Sequence, residues 1–268
     1  MAKKKSDSYI IRSVQKALSI VRLFESKNKK LSLMEISNAV GLNKSVVFRH
    51  LVTLTNEGFL ERDSKTNKYS LGVTICVLGS SFFSSMSIRD IALPVMRHLA
   101  DDSGFVVHLV IKSQDDRLIV LEKIGPATST FMDNLASMHG GELPIHCSGI
   151  GKIYLSGMGQ EQARVILENR KLESYTPNTI TDINAIISSL PRIAEQGFAV
   201  CINEYETYVS SVGCPLYDYT GAICAGISLG GISEKCNDIG MNNLIKPLLA
   251  AAATISSSLG FRGRYPTQ

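Results

Sequence analysis

The chain has 268 residues, of which 44% are hydrophobic and 19% are charged. This length suits two compact domains, and the composition excludes a wholly disordered protein. No apolar run approaches the roughly 18 residues that a membrane-spanning helix needs, and the Lys-rich start lacks the apolar segment of a secretory signal. Six cysteines without Cys-x-x-Cys spacing indicate reduced thiols rather than a disulfide framework or a zinc site. These observations predict a cytoplasmic protein with no membrane association, cofactor or metal site.

Charge is distributed unevenly along the chain. The formal net charge is +4, but residues 1–72 carry a net +8 and the remaining residues carry −4. A basic segment joined to a mildly acidic body is typical of a module that binds a polyanion and a second domain with another task. A solvated basic surface without a partner is the alternative at this point.

The basic segment has the pattern of a helix-turn-helix. Apolar residues spaced for one helical face predict a first helix from Ser13 to Phe24, with Val14, Ala17, Leu18, Val21 and Phe24 inward. Ser32 and Glu35 form a capping-box pattern for a short second helix that ends at Gly41 and buries Leu33, Ile36 and Val40. Asn43 is the expected N-cap of a third helix that runs to about Glu57. A short helix, a turn with glycine and a longer helix make this motif.

The third helix separates into an apolar and a polar face. Val47, Leu51 and Leu54 share the inward stripe, and the outward side chains are those of Lys44, Ser45, Phe48, Arg49 and Thr53. An outward arginine can bind guanine with two hydrogen bonds, and Phe48 can contact a thymine methyl group. Lys44 and Ser45 are expected to hold phosphates near the helix N-terminus. For Phe48, a place in the core is the alternative.

A β-hairpin wing is predicted after this helix. Short apolar segments at 59–62 and 69–71 flank a polar turn at 63–68. Lys65 and Lys68 in this turn are expected to lie along a DNA backbone.

The larger segment reads as α/β. Alternating patterns predict an antiparallel hairpin over 105–112 and 117–124 and two further strands over 209–217 and 222–229. Helical patterns cover 160–169, 182–196 and 239–259, with Pro191 expected to bend or restart the second of these. Residues 73–87 suit a helix that links the two parts.

Several motifs resemble the IclR-type bacterial transcriptional regulators. The similar segments are 13–18, 33–45, 57–60 and 69–72 in the basic part, and 143–152, 175–181, 197–204 and 211–218 in the larger part. They occur in the family's order over roughly 12–260. The resemblance implies an α+β fold: a basic disordered tail (1–11), a winged helix-turn-helix domain (12–72), a linker helix (73–87) and a GAF-like effector-binding α/β domain with an antiparallel sheet (88–268).

The resemblance also implies a small-molecule pocket. Matching the family's pocket positions gives Met132, Leu135, Gly149, Ile150, Cys201, Val209, Ser211, Ser228 and Gly230. The best-known acid sensors carry Asp, Cys, a second Ser and Ala where this chain has Cys201, Ser211, Gly230 and Ile150. We therefore expect a less polar floor and a ligand other than glyoxylate-like acids, either an organic acid or an aromatic metabolite. Ser211 and Ser228 as ordinary strand residues are the alternative.

The sequence gives less support to an enzymatic function. His146 and Cys147 suggest a nucleophile and base, but neighbours on an extended strand point to opposite faces, which favours a buried cysteine and a capping histidine. The segment 146–153 fails the phosphate-loop pattern at both His146 and Ile153. A GAF-like enzyme and a redox-responsive regulator that uses its cysteines stay open as alternatives.

The sequence thus predicts a ligand-responsive, DNA-binding regulator that is not an enzyme. As partners we expect double-stranded DNA with a pseudo-palindromic operator, a small-molecule effector, and a second copy of the chain in a dimer or a dimer of dimers.

Overall fold

A computed structural model describes residues 9–25, 29–84, 87–126 and 140–266. The chain divides into two compact units, Met1–Ser85 and Met86–Gln268. Within the described ranges, no helix is long and apolar enough to cross a membrane. The predicted pocket residues Met132 and Leu135 lie outside the described residues.

The first unit is a helical domain with a β-hairpin. Its elements are α1 (Arg12–Arg22), α2 (Leu33–Val40), α3 (Lys44–Asn56), β1 (Leu60–Arg62), β2 (Tyr69–Leu71) and α4 (Val73–Ser84). The strands β1 and β2 pair antiparallel. The predicted linker helix over 73–87 is observed as α4, and Ser87 already belongs to the following helix.

The core of the first unit confirms the pattern of α2 and α3 and corrects that of α1. Ile36, Val47 and Leu51 are fully buried, and the capping box is present, with the Ser32 N–H donating to Glu35 at 2.7 Å. The inward stripe expected for α1 is wrong at Val14 and Leu18, which are 51% and 56% exposed. Phe24 is buried as predicted, and Ala17 and Val21 pack partly buried against the core. Ile20, which the prediction did not include, is fully buried. Asn43 is the N-cap residue of α3, as predicted, but its side chain makes no capping hydrogen bond.

The second unit is an antiparallel sheet covered by helices. Its elements are α5 (Ser87–Ser103), β3 (Val106–Lys112), β4 (Leu118–Ile124), β5 (Glu142–Leu143), α6 (Gly149–Gly157), α7 (Gln160–Glu168), α8 (Ile183–Gln196), β6 (Ala199–Ile202), β7 (Val209–Tyr217), β8 (Ile223–Ile232), α9 (Ser233–Ile239) and α10 (Met241–Ser258). The strand order is β5-β4-β3-β8-β7-β6, and each described pair is antiparallel.

Helices pack on both faces of this sheet. Helix α6 contacts β7 and β8 and carries α8, while α10 packs against β7 and alongside α5. Gly213 and Gly226 face α6, where they contact Gly149 and Ile150. Because side chains alternate along a strand, the residues next to each of them point to the opposite face, on which α10 packs. The α6 side holds a core built from Val110, Val120, Ile150, Ile153, Leu155, Leu167, Ile186 and Leu190.

Several predicted elements of this unit need correction. The predicted hairpin over 105–124 is confirmed as β3 and β4. Helix α8 continues through Pro191 without restarting, and the closing helix begins at Met241 because Gly240, with φ of 84°, separates it from α9. The segment around His146 and Cys147 is a series of bends rather than the extended strand assumed from the sequence.

Two glycines let the start of α6 touch the backbone of β7. A Cβ atom on Gly213 would lie 2.7 Å from the carbonyl carbon of Gly149 and 2.8 Å from the nitrogen of Ile150. A Cβ atom on Gly149 would lie 3.0 Å from the nitrogen of Gly213. These are backbone contacts that no rotamer change relieves. The position of α6 over the sheet therefore requires glycine at 213, and the contact at 149 is tight but milder.

We expect Gly213→Ala to destabilise the second unit by about 1–3 kcal/mol, because the helix has to move off the strand. Chemical denaturation followed by circular dichroism measures this loss. Gly79→Ala in α4 is the matched control, since a Cβ atom there meets nothing within 4 Å and alanine favours a helix. Equal stability of the two variants would contradict the proposed contact.

Candidate nucleic-acid interface and ligand cavity

The outer face of α3 is exposed and polar. Lys44, Ser45, Arg49 and Thr53 are exposed, and Phe48 is 46% exposed, so its alternative as a core residue is wrong. The Thr53 hydroxyl donates to the Arg49 carbonyl at 3.0 Å, and its oxygen can still accept a hydrogen bond. This face carries two cations and no acidic residue.

The wing is held by its own polar contacts. The Asp63 carboxylate accepts hydrogen bonds from the Lys65 and Thr66 N–H groups at 2.9 and 3.1 Å, and these bonds, led by that of Thr66, hold the pKa of Asp63 below its ordinary value. Arg62 donates to the Asn67 side-chain oxygen at 2.7 Å and lies 5.8 Å over the Tyr69 ring. The predicted phosphate contacts Lys65 and Lys68 thus sit in an ordered turn, Lys65 exposed and Lys68 half-buried.

A cleft of about 290 Å³ separates the wing from α2 and α3. Its lining includes Lys44 and Phe48 from α3 and Arg62 and Thr66 from the wing. Leu31 pairs with Tyr69 through two backbone hydrogen bonds of 3.0 and 2.7 Å, which ties the wing to the segment before α2. Lys44 of the helix and Arg62 of the wing therefore line the same cleft. The sequence analysis did not predict Arg62 as a site residue, because its position in a short strand is not distinctive.

The second unit contains a cavity of about 70 Å³ at the start of α6. It brings together seven of the nine predicted pocket residues: Gly149, Ile150, Cys201, Val209, Ser211, Ser228 and Gly230. The other two, Met132 and Leu135, are not described. The cavity is large enough for a molecule that replaces a few waters.

Six further residues line this cavity and were not predicted: His108, Leu143, Cys147, Ser148, Tyr205 and Glu206. His108 has a recognisable signal, since it is a polar residue on the same face of β3 as Val106 and Val110. Tyr205 and Glu206 lie in a turn whose position depends on strand register, so the sequence gives no signal for them. A histidine and a carboxylate make the walls more polar than the substitutions at known positions suggest.

Two threonines of the segment 175–181, Thr176 and Thr179, anchor the turn that carries Tyr205 and Glu206. Thr176 donates to the Asn203 carbonyl at 2.5 Å, and Thr179 donates to the Glu204 carbonyl at 2.6 Å. The Asn203 N–H donates to the Val209 carbonyl at 2.9 Å, which closes the turn on β7. The segment 175–181 therefore acts structurally, as a brace of one cavity wall.

A buried ion pair lies behind the cavity floor. The Lys152 ammonium donates to the Glu204 carboxylate, and both side chains are only 9% exposed. The second carboxylate oxygen, Oε2, is buried without a hydrogen-bond partner in the described part of the chain. Because a buried charge is costly without its partner, the pair couples α6 to the corner after β6.

The cysteines and histidine of this region are unsuited to nucleophilic chemistry. Burial raises the pKa of Cys147 to about 12, and burial with the nearby Glu204 charge raises that of Cys201 to about 12. Both thiols therefore stay protonated at neutral pH, which is the unreactive form. Burial lowers the pKa of His146, whose Nε2 donates to the Glu173 carbonyl at 3.0 Å, so it braces a loop rather than capping a helix.

Lys152→Met should destabilise the second unit by about 3–5 kcal/mol, because it leaves the Glu204 charge buried and unpaired. The double variant Lys152→Met with Glu204→Leu should recover most of this loss. The exposed pair Arg164–Glu168, at 3.9 Å, provides the control, where Arg164→Met should cost at most about 0.5 kcal/mol. Denaturant titration measures all three. A Lys152→Met variant as stable as the control would show that the pair does not couple these elements.

Both units match models of one protein family. Residues 80–257 match the family described as bacterial transcriptional regulator IclR C-terminal, and residues 13–64 match the IclR helix-turn-helix domain. The chain is 29% identical over 252 residues to the HTH-type transcriptional regulator XynR of Escherichia coli, covering 94% of this chain and 98% of that protein. It is 26% identical over 250 residues to the acetate operon repressor of Salmonella typhimurium, covering 93% and 90% respectively.

Solved structures show the same fold. An IclR transcriptional regulator from Alicyclobacillus acidocaldarius superposes with a TM-score of 0.82 at 26% identity, covering 94% of this chain and 100% of that one. An IclR homologue from Microbacterium hydrocarbonoxydans, solved in complex with 4-hydroxybenzoate, has a TM-score of 0.76 at 21% identity, with 92% and 98% covered. With an exposed recognition helix, an ordered wing and a cavity beside α6, the chain belongs to the IclR family of DNA-binding transcriptional regulators with a C-terminal effector-binding domain.

Proposed function

We propose that this regulator binds a pseudo-palindromic operator as a dimer and that a small molecule in the α6 cavity changes its affinity for DNA. The observation that carries the proposal is the exposed cationic face of α3, which shares a cleft with the basic wing. Arg49 reads bases in the major groove, and Phe48 contacts a thymine methyl group. Lys44, Ser45, Thr53, Lys65 and Lys68 hold the phosphate backbone.

The dimer is supported by apolar side chains that the first unit leaves in solvent. Ile10, Ile11, Val14 and Leu18 are 42–66% exposed and follow one side of α1 and the residues before it. We call this set the α1 strip. A contiguous apolar strip of this kind marks an interface with another protein. A second copy fits, because two recognition helices can then address two half-sites about one or more helical turns apart.

The effector occupies the cavity and contacts Gly149, Ile150, Cys201, Val209, Ser211, Ser228 and Gly230. The resemblance to the family adds Met132 and Leu135 to these contacts. The regulator does no chemistry on this ligand. The ligand changes DNA affinity only to the extent that it binds the DNA-competent and DNA-incompetent arrangements differently. The relatives are transcriptional regulators by name, and the protonated thiols around the cavity give no support to catalysis or to redox sensing.

We expect Arg49→Ala to weaken binding to the promoter of the neighbouring genes by about 1–3 kcal/mol and to reduce the preference for that sequence over random duplex. Lys65→Ala should weaken both duplexes about equally and lower the salt dependence of binding. Fluorescence anisotropy at several salt concentrations measures these effects. Unchanged affinity and preference in Arg49→Ala would show that another face of α3 meets the bases. A wild-type protein that ignores the promoter at low salt, with and without metabolites, would overturn the proposed function.

Leu18→Glu should shift the protein from dimer to monomer, because it buries a charge in the α1 strip. Sedimentation velocity measures the mass of the particle. Val165→Glu is the matched control, since Val165 is 55% exposed on α7 against 56% for Leu18. An unchanged mass in Leu18→Glu would rule out the α1 strip as the dimer interface.

A further inference from the structure

A second and larger cavity lies at the other end of α6. It is a cleft of about 400 Å³, whereas the cavity at the start of α6 has about 70 Å³, and the two share no lining residue in the described ranges. Tyr154, Ser156 and Gly157 from the second half of α6 line the cleft. Gly157 lies about 12 Å along the helix from Gly149. The cleft has the volume of a small-molecule site and is separate from the first cavity.

The walls of the cleft are mainly apolar and are held by packing. Ile153 and Ile193 are buried in the core on the α6 side of the sheet, and Ile223 packs against that core. The Tyr217 ring stacks on Phe261 with 4.9 Å between the ring centroids, which fixes a further wall. Such walls suit a ligand with a flat, apolar body.

The wall also contains a hydroxyl whose proton meets no acceptor. Tyr154 is only 4% exposed, and its hydroxyl oxygen is buried without a hydrogen-bond partner in the described part of the chain. The backbone N–H of Lys112 lies beside this oxygen, but an N–H is a donor and cannot accept the phenol proton. Burial raises the pKa of Tyr154, so the hydroxyl keeps its proton. Because buried donors are nearly always paired, this hydroxyl indicates a ligand acceptor beside it.

The charges around the cleft favour a neutral ligand. Lys112 is the only charged residue in the described lining, and its ammonium donates to the Asp116 carboxylate at 2.6 Å. Ser156 and Gly157 belong to the last turn of α6, where the final carbonyls lack partners within the helix and the helix dipole disfavours anions. A neutral molecule that offers both an N–H donor and an acceptor matches these groups.

We propose that the cleft at the end of α6 is a second ligand site, which binds a small neutral aromatic carboxamide. The amide oxygen accepts from the Tyr154 hydroxyl, the amide N–H donates to a terminal carbonyl of α6, and the ring lies against Tyr217 and Ile223. An aromatic carboxylate of the same shape binds less tightly, because its charge meets the carbonyl end of the helix. This site is distinct from the cavity in which the proposed function places the effector.

A tryptophan introduced at the rim of the cleft tests the proposal, because the chain contains no tryptophan of its own. Gln162→Trp changes an exposed residue of the lining, and Val165→Trp, on the same helix but outside the lining, is the matched control. Titration of the full-length protein with benzamide should change the emission of Gln162→Trp in a saturable way and leave that of Val165→Trp unchanged. At Gln162→Trp, benzoate should bind about two- to fivefold more weakly than benzamide.

Two further substitutions in the Gln162→Trp protein locate the bound amide. Tyr154→Phe should weaken benzamide by about fivefold to tenfold, because it removes the donor to the amide oxygen. Ala194→Phe fills the cleft from an exposed position on α8 and should abolish the response. Tyr208→Phe, at a tyrosine that is 74% exposed and outside the lining, should leave benzamide binding unchanged. Circular dichroism establishes that each variant is folded.

The absence of a saturable response in Gln162→Trp up to the solubility limit of benzamide would overturn the inference, as would equal responses of the two reporters. Tighter binding of benzoate than of benzamide at Gln162→Trp would do the same. Unchanged benzamide affinity in a folded Tyr154→Phe or Ala194→Phe variant would place the ligand elsewhere and also overturn it. The DNA-binding titration of the wild type reports independently on the proposed function.

Discussion

The close contact between α6 and β7 is the constraint on which the ligand cavity depends. Glycine at 213 lets the N-terminus of α6 rest on the backbone of β7, because a Cβ atom there would lie less than 3 Å from the backbone of Gly149 and Ile150. This contact also brings Ile150 against Gly226. The cavity lies beside the first residues of α6, so the position of the cavity depends on how α6 packs on the sheet.

The walls of the cavity are fixed by polar contacts that lie behind them. Lys152 reaches from α6 to Glu204, and Thr176 and Thr179 hold the main chain of the same corner. These bonds cross between segments far apart in sequence, so the turn with Tyr205 and Glu206 cannot move without breaking several of them.

In the first unit, the polar contacts are local to each helix or turn. Its small core is closed by α2, α3 and the hairpin, and its polar groups serve local geometry: the capping box of α2, and the Asp63 and Arg62 contacts of the wing. The apolar residues that do not fit into this core remain on α1. The unit therefore presents two surfaces of opposite character, one basic and shaped by the wing, the other apolar and suited to a second copy.

The sequence by itself determined the helix-turn-helix, the wing, the basic surplus and the family, because these depend on local spacing, capping and charge. It also supplied seven residues of the cavity through the family pattern, which preserves backbone positions. Only the tertiary structure decided that Val14 and Leu18 face outward, since an amphipathic helix does not reveal which apolar side finds the core. Only the tertiary structure brought His108 and Glu206 to the same cavity, because strand register and a turn closed by distant threonines decide which side chains meet there.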